Sequence, residues 1–445
     1  MPAKMLSNDS LGVLVQDRRK FHLRENVTRE LWTTVAPFTT IITNKRSTER
    51  VRDTDFRMFE HRSGFVRQYF QVASSTPPEW PDNGDPGAKV TEVATKNKTG
   101  LGDSGSSQES LIGLVFEIYN NDGDYKGLTT VHDVDASGNV TLRSLGNPRD
   151  TDNRVQDLAE DDRLVVNGSA IGENQTSPEP FHDDLELVYN SPQIFRTPLE
   201  ISGTLHEAAL RGYNNELARL RLEKNKEHKM QKERAFLTGQ RVPGIQNTGL
   251  SDGSVSGSHT KDKDGKPVRT TMGIISALYR HGKREEGHDD QAVFERAMSS
   301  YTYNKFVDDT EKVFWYVPQS GYKTAICGPG AMSFWSKIND EGFHKGNLKV
   351  TLSDLQLDKF KFYFKWLETP HGMIKLVQAP ALRHEYRNHM VIIDDSNIGH
   401  VKYRDMYYAT NIKTENNYDG QKDEYFSDEG IKISLLETHK LFVFT

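Results

Sequence analysis

The stretch that decides the fold runs from Thr204 to Gly239 and reads TLHEAALRGYNNELARLRLEKNKEHKMQKERAFLTG. We predict one long helix for it. Thr204 and Glu207 have the spacing of a capping box, in which each side chain accepts a hydrogen bond from a free N–H at the helix start. Gly239 is a suitable residue to end the helix. Apolar residues recur at helical spacing through the first half, at Leu205, Ala209, Tyr213, Leu217 and Leu220.

The second half of this helix is almost entirely polar, because Met230 is the only large apolar residue from Glu223 to Arg234. About 33 residues at about 1.5 Å each give a rod of roughly 50 Å, which a small globule does not bury. We therefore expect the rod to lie across a surface and to contact other chains through charge. This pattern favours assembly over catalysis.

Composition narrows the class of protein further. The 445 residues allow about two to four domains. A hydrophobic content of 35% suffices for a packed core, while a mean hydropathy of -0.69 indicates long solvated arms and loops. The net charge of -6 is unevenly spread, since residues 1–67 hold 13 Lys and Arg against 8 Asp and Glu. The chain is therefore not a dedicated nucleic-acid-binding protein, which would usually have a basic domain. The basic amino-terminal segment, residues 1–67, could still contact a polyanion.

Cysteine content and hydropathy indicate the compartment. Cys327 is the single cysteine, so there is no intramolecular disulfide framework, which fits assembly in a reducing cytoplasm. We expect Cys327 to be a small buried residue. The sequence shows no signal-peptide core and no apolar stretch of about 18 residues, so a soluble, unexported chain is expected.

The first half of the chain is predicted to be β-rich around a mobile-looking loop. Residues 1–35 are interpreted as an arm, and strand-prone segments follow at Thr39–Ile42 and Phe65–Phe70. Ser74–Ser110 is rich in Gly, Pro, Ser and Asp and is predicted to be a loop. Several short strands at roughly 10-residue spacing between about 111 and 170 predict a small β-barrel or sandwich.

The second half is predicted to be mixed, without the regular βαβ alternation of a nucleotide-binding fold. Arg241–Lys266 is polar and Gly-rich, so we predict a surface loop there. Helices are predicted at Gly273–Tyr279, Gln291–Phe306 and Gly330–Ile338. Strands are predicted at Lys312–Val317, Tyr322–Cys327, Lys349–Thr351, Phe360–Trp366 and Met373–Val377. His389–Asp394 leads into a charged strand-like segment, and Ile431–Phe444 closes the chain with β character.

One group of residues resembles a metal site. His384 and Glu385 with His389 are similar to a zinc-protease helix, but the histidines are five residues apart rather than four and do not share a helical face. Ordinary surface histidines are favoured, and a metal-assisted hydrolase is kept as an alternative from another class. A carbohydrate-binding virion protein that uses residues 111–170 is a third. We expect no catalytic residue, cofactor or metal.

Several segments, in their order and spacing, carry a family resemblance: Val35–Ile42, Pro192–Phe195, Ile201–Thr204, Leu205–Leu237, Arg269–Ile274, Met390–Asp394 and Ile431–Phe444. Together they resemble the major capsid proteins of tailed bacteriophages with the Hong Kong 97-type fold, most closely the podophage-type branch. In that family, the segment matching Val35–Ile42 begins the β-prone region, and those matching Pro192–Phe195 and Ile201–Thr204 lead into the spine helix, which Leu205–Leu237 matches. The segment matching Arg269–Ile274 begins the axial domain. Those matching Met390–Asp394 and Ile431–Phe444 form the long peripheral strand and the closing strands. The loops at Ser74–Ser110 and Arg241–Lys266 look longer or more polar than the family requires.

The resemblance implies an α+β fold in five parts. They are an amino-terminal arm (1–36), an extended loop region with an inserted small β-barrel (37–200, insertion about 111–170), the spine helix and following loop of the peripheral domain (201–268), the axial domain (269–385), and the long and closing peripheral strands (386–445).

The resemblance also implies a function. Such a chain self-assembles as hexamers and pentamers into the icosahedral head shell of a tailed double-stranded DNA bacteriophage. Its partners are packaged DNA and scaffold, portal and cement proteins, with no membrane. Its location is the virion, and the host cytoplasm during assembly. A non-viral encapsulating shell of the same fold is the near alternative.

Two sets of charged residues are hypotheses for contacts. Residues of the long helix expected at a subunit interface are Arg219, Arg221, Lys224 and Glu227. Arm residues expected to contact DNA or a scaffold through a salt-sensitive term are Arg18, Arg19, Lys20 and Arg24.

Overall fold

The computed structural model describes residues 36–45, 48–61, 69–72, 80, 91–96, 111–120, 123–134, 139–173, 185–207, 216–241, 266, 268–282, 284, 291–316, 318, 320–341, 356–357, 363–412 and 419–445. The chain forms two compact units, Met1–Arg57 with Tyr189–Thr445, and Met58–Val188. Within the described ranges, no helix is both long and apolar enough to cross a membrane.

The described strands are β1 (Glu49–Arg50), β2 (Phe56–Glu60), β3 (Tyr69–Val72), β4 (Thr91–Lys96), β5 (Leu114–Tyr119), β6 (Tyr125–Val134), β7 (Asn139–Gly146), β8 (Arg163–Ser169), β9 (Glu186–Asn190), β10 (Gln193–Ser202), β11 (Val293–Arg296), β12 (Tyr322–Cys327), β13 (Gln356–Leu357), β14 (Tyr363–Thr369), β15 (Gly372–Gln378), β16 (His389–Ile393), β17 (Ile398–Ala409), β18 (Gly420–Ile433) and β19 (Lys440–Phe444). The described α-helices are α1 (Pro37–Lys45), α2 (Gly203–Glu207), α3 (Glu216–Thr238), α4 (Ile274–His281), α5 (Tyr303–Phe314) and α6 (Pro329–Glu341).

A seven-stranded mixed sheet, in the order β11-β19-β16-β12-β15-β14-β13, lies in the first unit. Its central strands β16, β12 and β15 are mostly buried along their length, as expected when both faces of a sheet are covered. On β12, Ile326 belongs to one hydrophobic cluster, shared with α4, while Ala325 and Cys327 belong to a second, shared with α5 and α6. The alternation follows from the two-residue period of a strand.

Two predictions near this sheet are wrong. The helix predicted over Gln291–Phe306 is instead β11, a 3₁₀ turn at Met298–Ser300 and the start of α5. The first three residues of the strand predicted over Lys312–Val317 lie in α5, which Thr302 caps by accepting a hydrogen bond from the Lys305 N–H. A helix forms because the buried residues of α5 recur at a helical period: Phe306, Asp309, Thr310, Val313 and Phe314.

A four-stranded sheet in the order β1-β17-β18-β10 holds the longest described strands, of 12 residues in β17 and 14 in β18. β10 pairs antiparallel with β18 along its whole length, from Gln193 opposite Glu429 to Ser202 opposite Gly420. The expectation that Met390–Asp394 forms a long strand is wrong, whereas its assignment to the peripheral domain stays a prediction. β16 has five residues, all buried, and pairs with β12 and β19 in the seven-stranded sheet.

The strand predicted at Thr39–Ile42 is also wrong, because Pro37–Lys45 forms α1. Proline is favoured at the first helical position. Phe38, Ile41 and Ile42 are buried in the same cluster as Phe236 of α3. Tertiary contacts therefore override the β preference of the threonines and isoleucines.

The second unit contains six strands in which each pairs with two neighbours, so that the order β3-β4-β7-β6-β5-β8 returns to β3. Its interior is apolar, with Ile118, Leu142 and Leu164 fully buried. β4 lies inside the loop predicted at Ser74–Ser110, so that prediction is wrong for Thr91–Lys96. The β2 and β9 strands form a separate two-stranded sheet.

The predicted long helix is described as α2 and α3, with residues 208–215 outside the described part. Its start differs from the prediction, since α2 begins at Gly203 and Thr204 lies inside the helix. The Ser202 hydroxyl accepts a hydrogen bond from the Leu205 N–H at 3.3 Å. Its end agrees, with Thr238 last in the helix. Gly239 then accepts a hydrogen bond from the Gly273 N–H at 2.7 Å. A Cβ at Gly273 would lie 2.8 Å from the Gly239 nitrogen, so the two backbones need glycine to approach this closely.

Candidate assembly interface

Helix α3 lies on the four-stranded sheet largely through polar side chains. Three of them, Arg221, His228 and Lys232, recur at helical spacing and meet partners on β18, and we call them the polar stripe. The partners Asp423, Ser427 and Glu429 are separated by even intervals and so share one face of the strand. From Arg221 to Lys232 the helix rises about 16 Å, and from Asp423 to Glu429 the strand rises about 20 Å, so the two elements stay in step.

The first contact is centred on Asp423, which is fully buried. Its carboxylate accepts hydrogen bonds from Arg221 Nη2 at 2.8 Å, from the Asn411 N–H at 2.8 Å and from the Tyr408 hydroxyl. Burial acts to raise the pKa of Asp423, but the hydrogen bonds from Tyr408, Asn411 and Arg221 together lower it. Asp423 is therefore an ionised group whose charge is met inside the chain.

The second contact is His228, which is also fully buried. Its Nδ1 lies 2.9 Å from the Thr197 hydroxyl oxygen, and its Nε2 lies 2.9 Å from the Ser427 hydroxyl oxygen. Hydroxyls donate or accept, so both ring nitrogens are satisfied in either neutral tautomer. Burial, with the nearby charge of Lys232, lowers the pKa of His228 to about 4, and the ring is neutral at pH 7.

The third contact is an ion pair between Lys232 Nζ and Glu429 Oε2 at 3.2 Å, with both side chains buried. His400 Nε2 lies 3.0 Å from the same carboxylate oxygen. Burial acts to raise the pKa of Glu429, but the hydrogen bond with His400 and the charge of Lys232 lower it overall. Buried charges need such partners, because an unpaired one costs several kcal/mol.

Glu233 points away from the sheet towards α1. Its carboxylate is fully buried and accepts hydrogen bonds from the Phe38 N–H at 3.0 Å, the Thr39 N–H at 2.7 Å and the Thr39 hydroxyl at 2.6 Å. The first N–H groups of a helix have no partner within it, so Glu233 caps α1 from 194 residues away. Burial raises the pKa of Glu233 to about 6, against the lowering effect of these hydrogen bonds.

The long helix therefore lies across a sheet of its own chain, and part of the polar second half that we expected to contact other chains is buried there. Helix α3 buries Leu217, His228, Lys232, Glu233, Phe236 and Leu237. A count of apolar residues missed this face because it is polar and satisfied by partners. The signal that identifies it is the recurrence of polar residues at even intervals along β18, which matches the stripe on the helix.

The four helix residues expected at a subunit interface have partners within the chain. Arg219 Nη2 pairs with Glu216 at 2.5 Å and its Nη1 pairs with Glu223 at 3.0 Å, while Lys224 pairs with Glu227 at 2.7 Å. These pairs are partly exposed and follow helical spacing, so each contributes about 0–1 kcal/mol. Arg221 differs, because its guanidinium binds the buried Asp423. A role at a subunit interface stays a prediction for all four residues.

The other predicted residues are placed as follows. Arg18, Arg19, Lys20 and Arg24 lie outside the described residues. His384 and Glu385 are exposed, whereas His389 is buried with Nε2 2.9 Å from the Tyr279 hydroxyl. Within the described ranges, no group of three or more His, Cys, Asp or Glu residues could hold a metal ion. Cys327 is buried as expected, and burial raises the pKa of its thiol.

Comparison with known proteins gives one extended match. The model of the SU10 major capsid protein family matches residues 34–432. No curated protein matches the sequence.

Solved structures show weaker similarity. The capsid of a native GTA particle is 9% identical, with a TM-score of 0.41, and the match covers 98% of this chain and 96% of that one. The structure described as Mycobacterium phage Adephagia is 7% identical, with a TM-score of 0.39 and coverage of 99% and 98%. The SrpI encapsulin complex from Synechococcus elongatus is 7% identical, with a TM-score of 0.37 and coverage of 59% and 77%. These similarities are too weak to identify a function.

Proposed function

Because the chain belongs to the SU10 major capsid protein family, we infer that it is the major capsid protein that self-assembles into the icosahedral head shell of a tailed double-stranded DNA bacteriophage. The family match over residues 34–432 is the observation that carries this conclusion. The chain is a component of the virion, and its role there is structural. We propose no catalytic activity for it.

The finer architecture is part of the proposal. We identify α2 and α3 with the spine helix of a Hong Kong 97-type fold, and the strand ring of β3 to β8 with the insertion in its extended loop. The four-stranded sheet under α3 is assigned to the peripheral domain and the seven-stranded sheet to the axial domain. This assignment is supported by the long polar helix, by the position of the β-rich unit before it and by the separation of the two sheets. It moves β16 and β19 from the peripheral to the axial part.

The proposed partners follow from the shell. Copies of the chain form hexamers and pentamers in the host cytoplasm, with scaffold, portal and cement proteins, and the shell encloses DNA. Arg219, Lys224 and Glu227 are proposed to exchange their weak partners within the helix for partners on a neighbour. Arg221 is proposed to support that surface, because its charge is already met by Asp423.

The arm residues Arg18, Arg19, Lys20 and Arg24 are proposed to contact DNA or a scaffold through charge. Reversing all four charges is expected to reduce assembly or DNA packaging, more strongly at low than at high salt. Shell yield and packaged DNA are measured together. If neither changes, the arm does not make this contact.

Negative-stain microscopy of the expressed protein, with its scaffold where one is encoded, tests the function. We expect closed shells or capsomer rings of uniform size. A dispersed monomer under all conditions in which the chain is folded would contradict it. A shell that holds a protein cargo and no genome would favour the non-viral encapsulating alternative.

A further inference from the structure

The four-stranded sheet has a face opposite to the one that contacts α3. In the antiparallel pairing of β10 with β18, Ile194 lies opposite Asp428 and Arg196 opposite Phe426. Directly opposed residues point to the same side of a sheet. Since Phe195 and Thr197 point towards α3, Ile194 and Arg196 point away from it. We call this surface the arginine face; it consists of Ile194, Arg196, Arg404, Tyr407, Phe426 and Asp428.

Two guanidinium groups and a phenol cover the centre of the arginine face. Phe426 is buried. The guanidinium carbons of Arg404 and Arg196 lie 4.3 Å and 5.2 Å from the centroid of its ring. The ring of Tyr407 stacks on it with 4.9 Å between the ring centroids. The covering groups remain open to solvent, although each has a partner within the chain. Arg196 is 61% exposed and pairs with Glu424 at 3.7 Å, and Arg404 is 46% exposed and pairs with Asp428 at 3.3 Å. Stacking on the ring holds the guanidinium groups in place before any partner arrives.

The backbone of β17 is shaped to present this face. Its pairing with β18 shifts register between Lys402 and Arg404 and again between Arg404 and Tyr407. Bulges of this kind re-aim side chains. As a result, the four residues from Arg404 to Tyr407 are all exposed. Arginine and tyrosine are, with tryptophan, enriched among the residues that contribute most to binding between protein surfaces.

The charge of the chain is divided between its two units. Residues 58–188 hold 10 Lys and Arg against 23 Asp and Glu, a net charge of -13. The remaining residues hold 47 Lys and Arg against 40 Asp and Glu, a net charge of +7. Two parts with charges of opposite sign in every copy attract one another when copies pack together.

The acidic charge is concentrated in one segment of the second unit. Residues 150–162, between β7 and β8, contain six Asp or Glu and a single Arg. Asp162 is buried and pairs with Lys126 at 2.7 Å. Asp152, Asp157 and Glu160 are exposed. We call residues 150–162 the acidic loop.

We propose that the arginine face of one copy binds the acidic loop of a neighbouring copy in the shell. Carboxylates such as Asp152 and Glu160 meet the exposed guanidinium groups of Arg196 and Arg404, and Tyr407 and Ile194 supply apolar contact around them. This inference rests on the proposed function, since it needs a shell of identical chains. The contact is electrostatic at its rim, so it weakens as the salt concentration rises.

A charge exchange tests the contact. Arg196→Glu is expected to raise the lowest subunit concentration that gives shells by about tenfold or more, because it places like charges together at every copy of the contact. Adding Asp152→Arg and Glu160→Arg to the same chain is expected to restore assembly, because the opposite charges then meet again. Shell yield is measured by sedimentation and negative-stain microscopy. Arg404→Gln, which keeps a hydrogen-bond donor beside Asp428, gives a second and milder lesion of the same face.

Lys337→Glu is the matched control, since it makes the same change of charge at an exposed position of α6. Circular dichroism must show that each variant subunit is folded. Chains with Arg196→Glu are also mixed with chains that carry both Asp152→Arg and Glu160→Arg. Mixed shells restore a contact between two copies but not a contact within one copy, so this experiment distinguishes the two. The inference is overturned if Arg196→Glu and Arg404→Gln assemble as well as the control, or if exchanging the charges does not restore assembly. In either case, shells formed by the wild type still support the proposed function. No shells from the wild type would overturn both.

Discussion

Glu233→Ala is expected to lower the free energy of unfolding by about 3–5 kcal/mol, because it leaves buried donors without an acceptor. The donors are the Phe38 N–H, the Thr39 N–H and the Thr39 hydroxyl, all within 3.0 Å of the carboxylate. Glu233→Gln keeps the shape and one acceptor oxygen, so its effect should be smaller. Urea denaturation of the unassembled subunit followed by circular dichroism measures both.

Glu223→Ala is the matched control on the same helix. Glu223 is partly exposed and pairs with Arg219 at 3.0 Å, so its removal should cost less than about 1 kcal/mol. Faster amide hydrogen exchange at Phe38 and Thr39 in Glu233→Ala would locate the damage at the start of α1. Equal urea midpoints for the two alanine variants would show that Glu233 does not anchor α1.

Acid is expected to weaken the subunit through His228. The pKa of His228 falls from 6.5 in the unfolded chain to about 4 in the folded one, so the unfolded state binds more protons between these values. Stability therefore decreases as pH falls from about 6.5 to about 4, with a slope of about 1.4 kcal/mol per pH unit for this one group. Above pH 6.5 the contribution is complete and flat.

The measurement is the difference in unfolding free energy between the wild type and His228→Gln at each pH, since glutamine does not titrate. The difference removes the effect of His439, whose pKa burial lowers to about 4. The difference also removes the effect of Glu233 on stability. The pKa of Glu233 is raised in the folded chain, so its stabilising contribution is lost as the pH rises through about 6, which is opposite to the effect of His228. A difference that stays constant from pH 7 to pH 4 would show that His228 is not held neutral.

Local signals in the sequence predicted the elements whose partners are nearby or apolar. The end of α3 at Thr238, before Gly239, follows from glycine at a helix terminus. Strand Tyr322–Cys327 follows from a short segment that ends in Ala325, Ile326 and Cys327 and lies between the turn residues Gly321 and Gly328. In both cases the residues that form the element carry the information.

Elements whose partners lie far along the chain could not be predicted in the same way. Thr39–Ile42 reads as a strand, and it becomes helical where Glu233 supplies the acceptors that the first turn of α1 needs. The buried role of His228 and Lys232 depends on Ser427 and Glu429, about 200 residues later. A helix window scored for apolar residues assigns such positions to solvent, because burial of a polar group depends on its partner.

The polar stripe makes the joint between α3 and its sheet specific in register. An apolar joint tolerates sliding, since hydrophobic attraction has no direction. A hydrogen bond is lost beyond about 3.5 Å, and a shift by one helical residue moves every partner by about 1.5 Å. Arg221, His228 and Lys232 would lose their partners together. In any rearrangement of the subunit, helix α3 and the four-stranded sheet are therefore expected to move together as one rigid body, with bending at other joints.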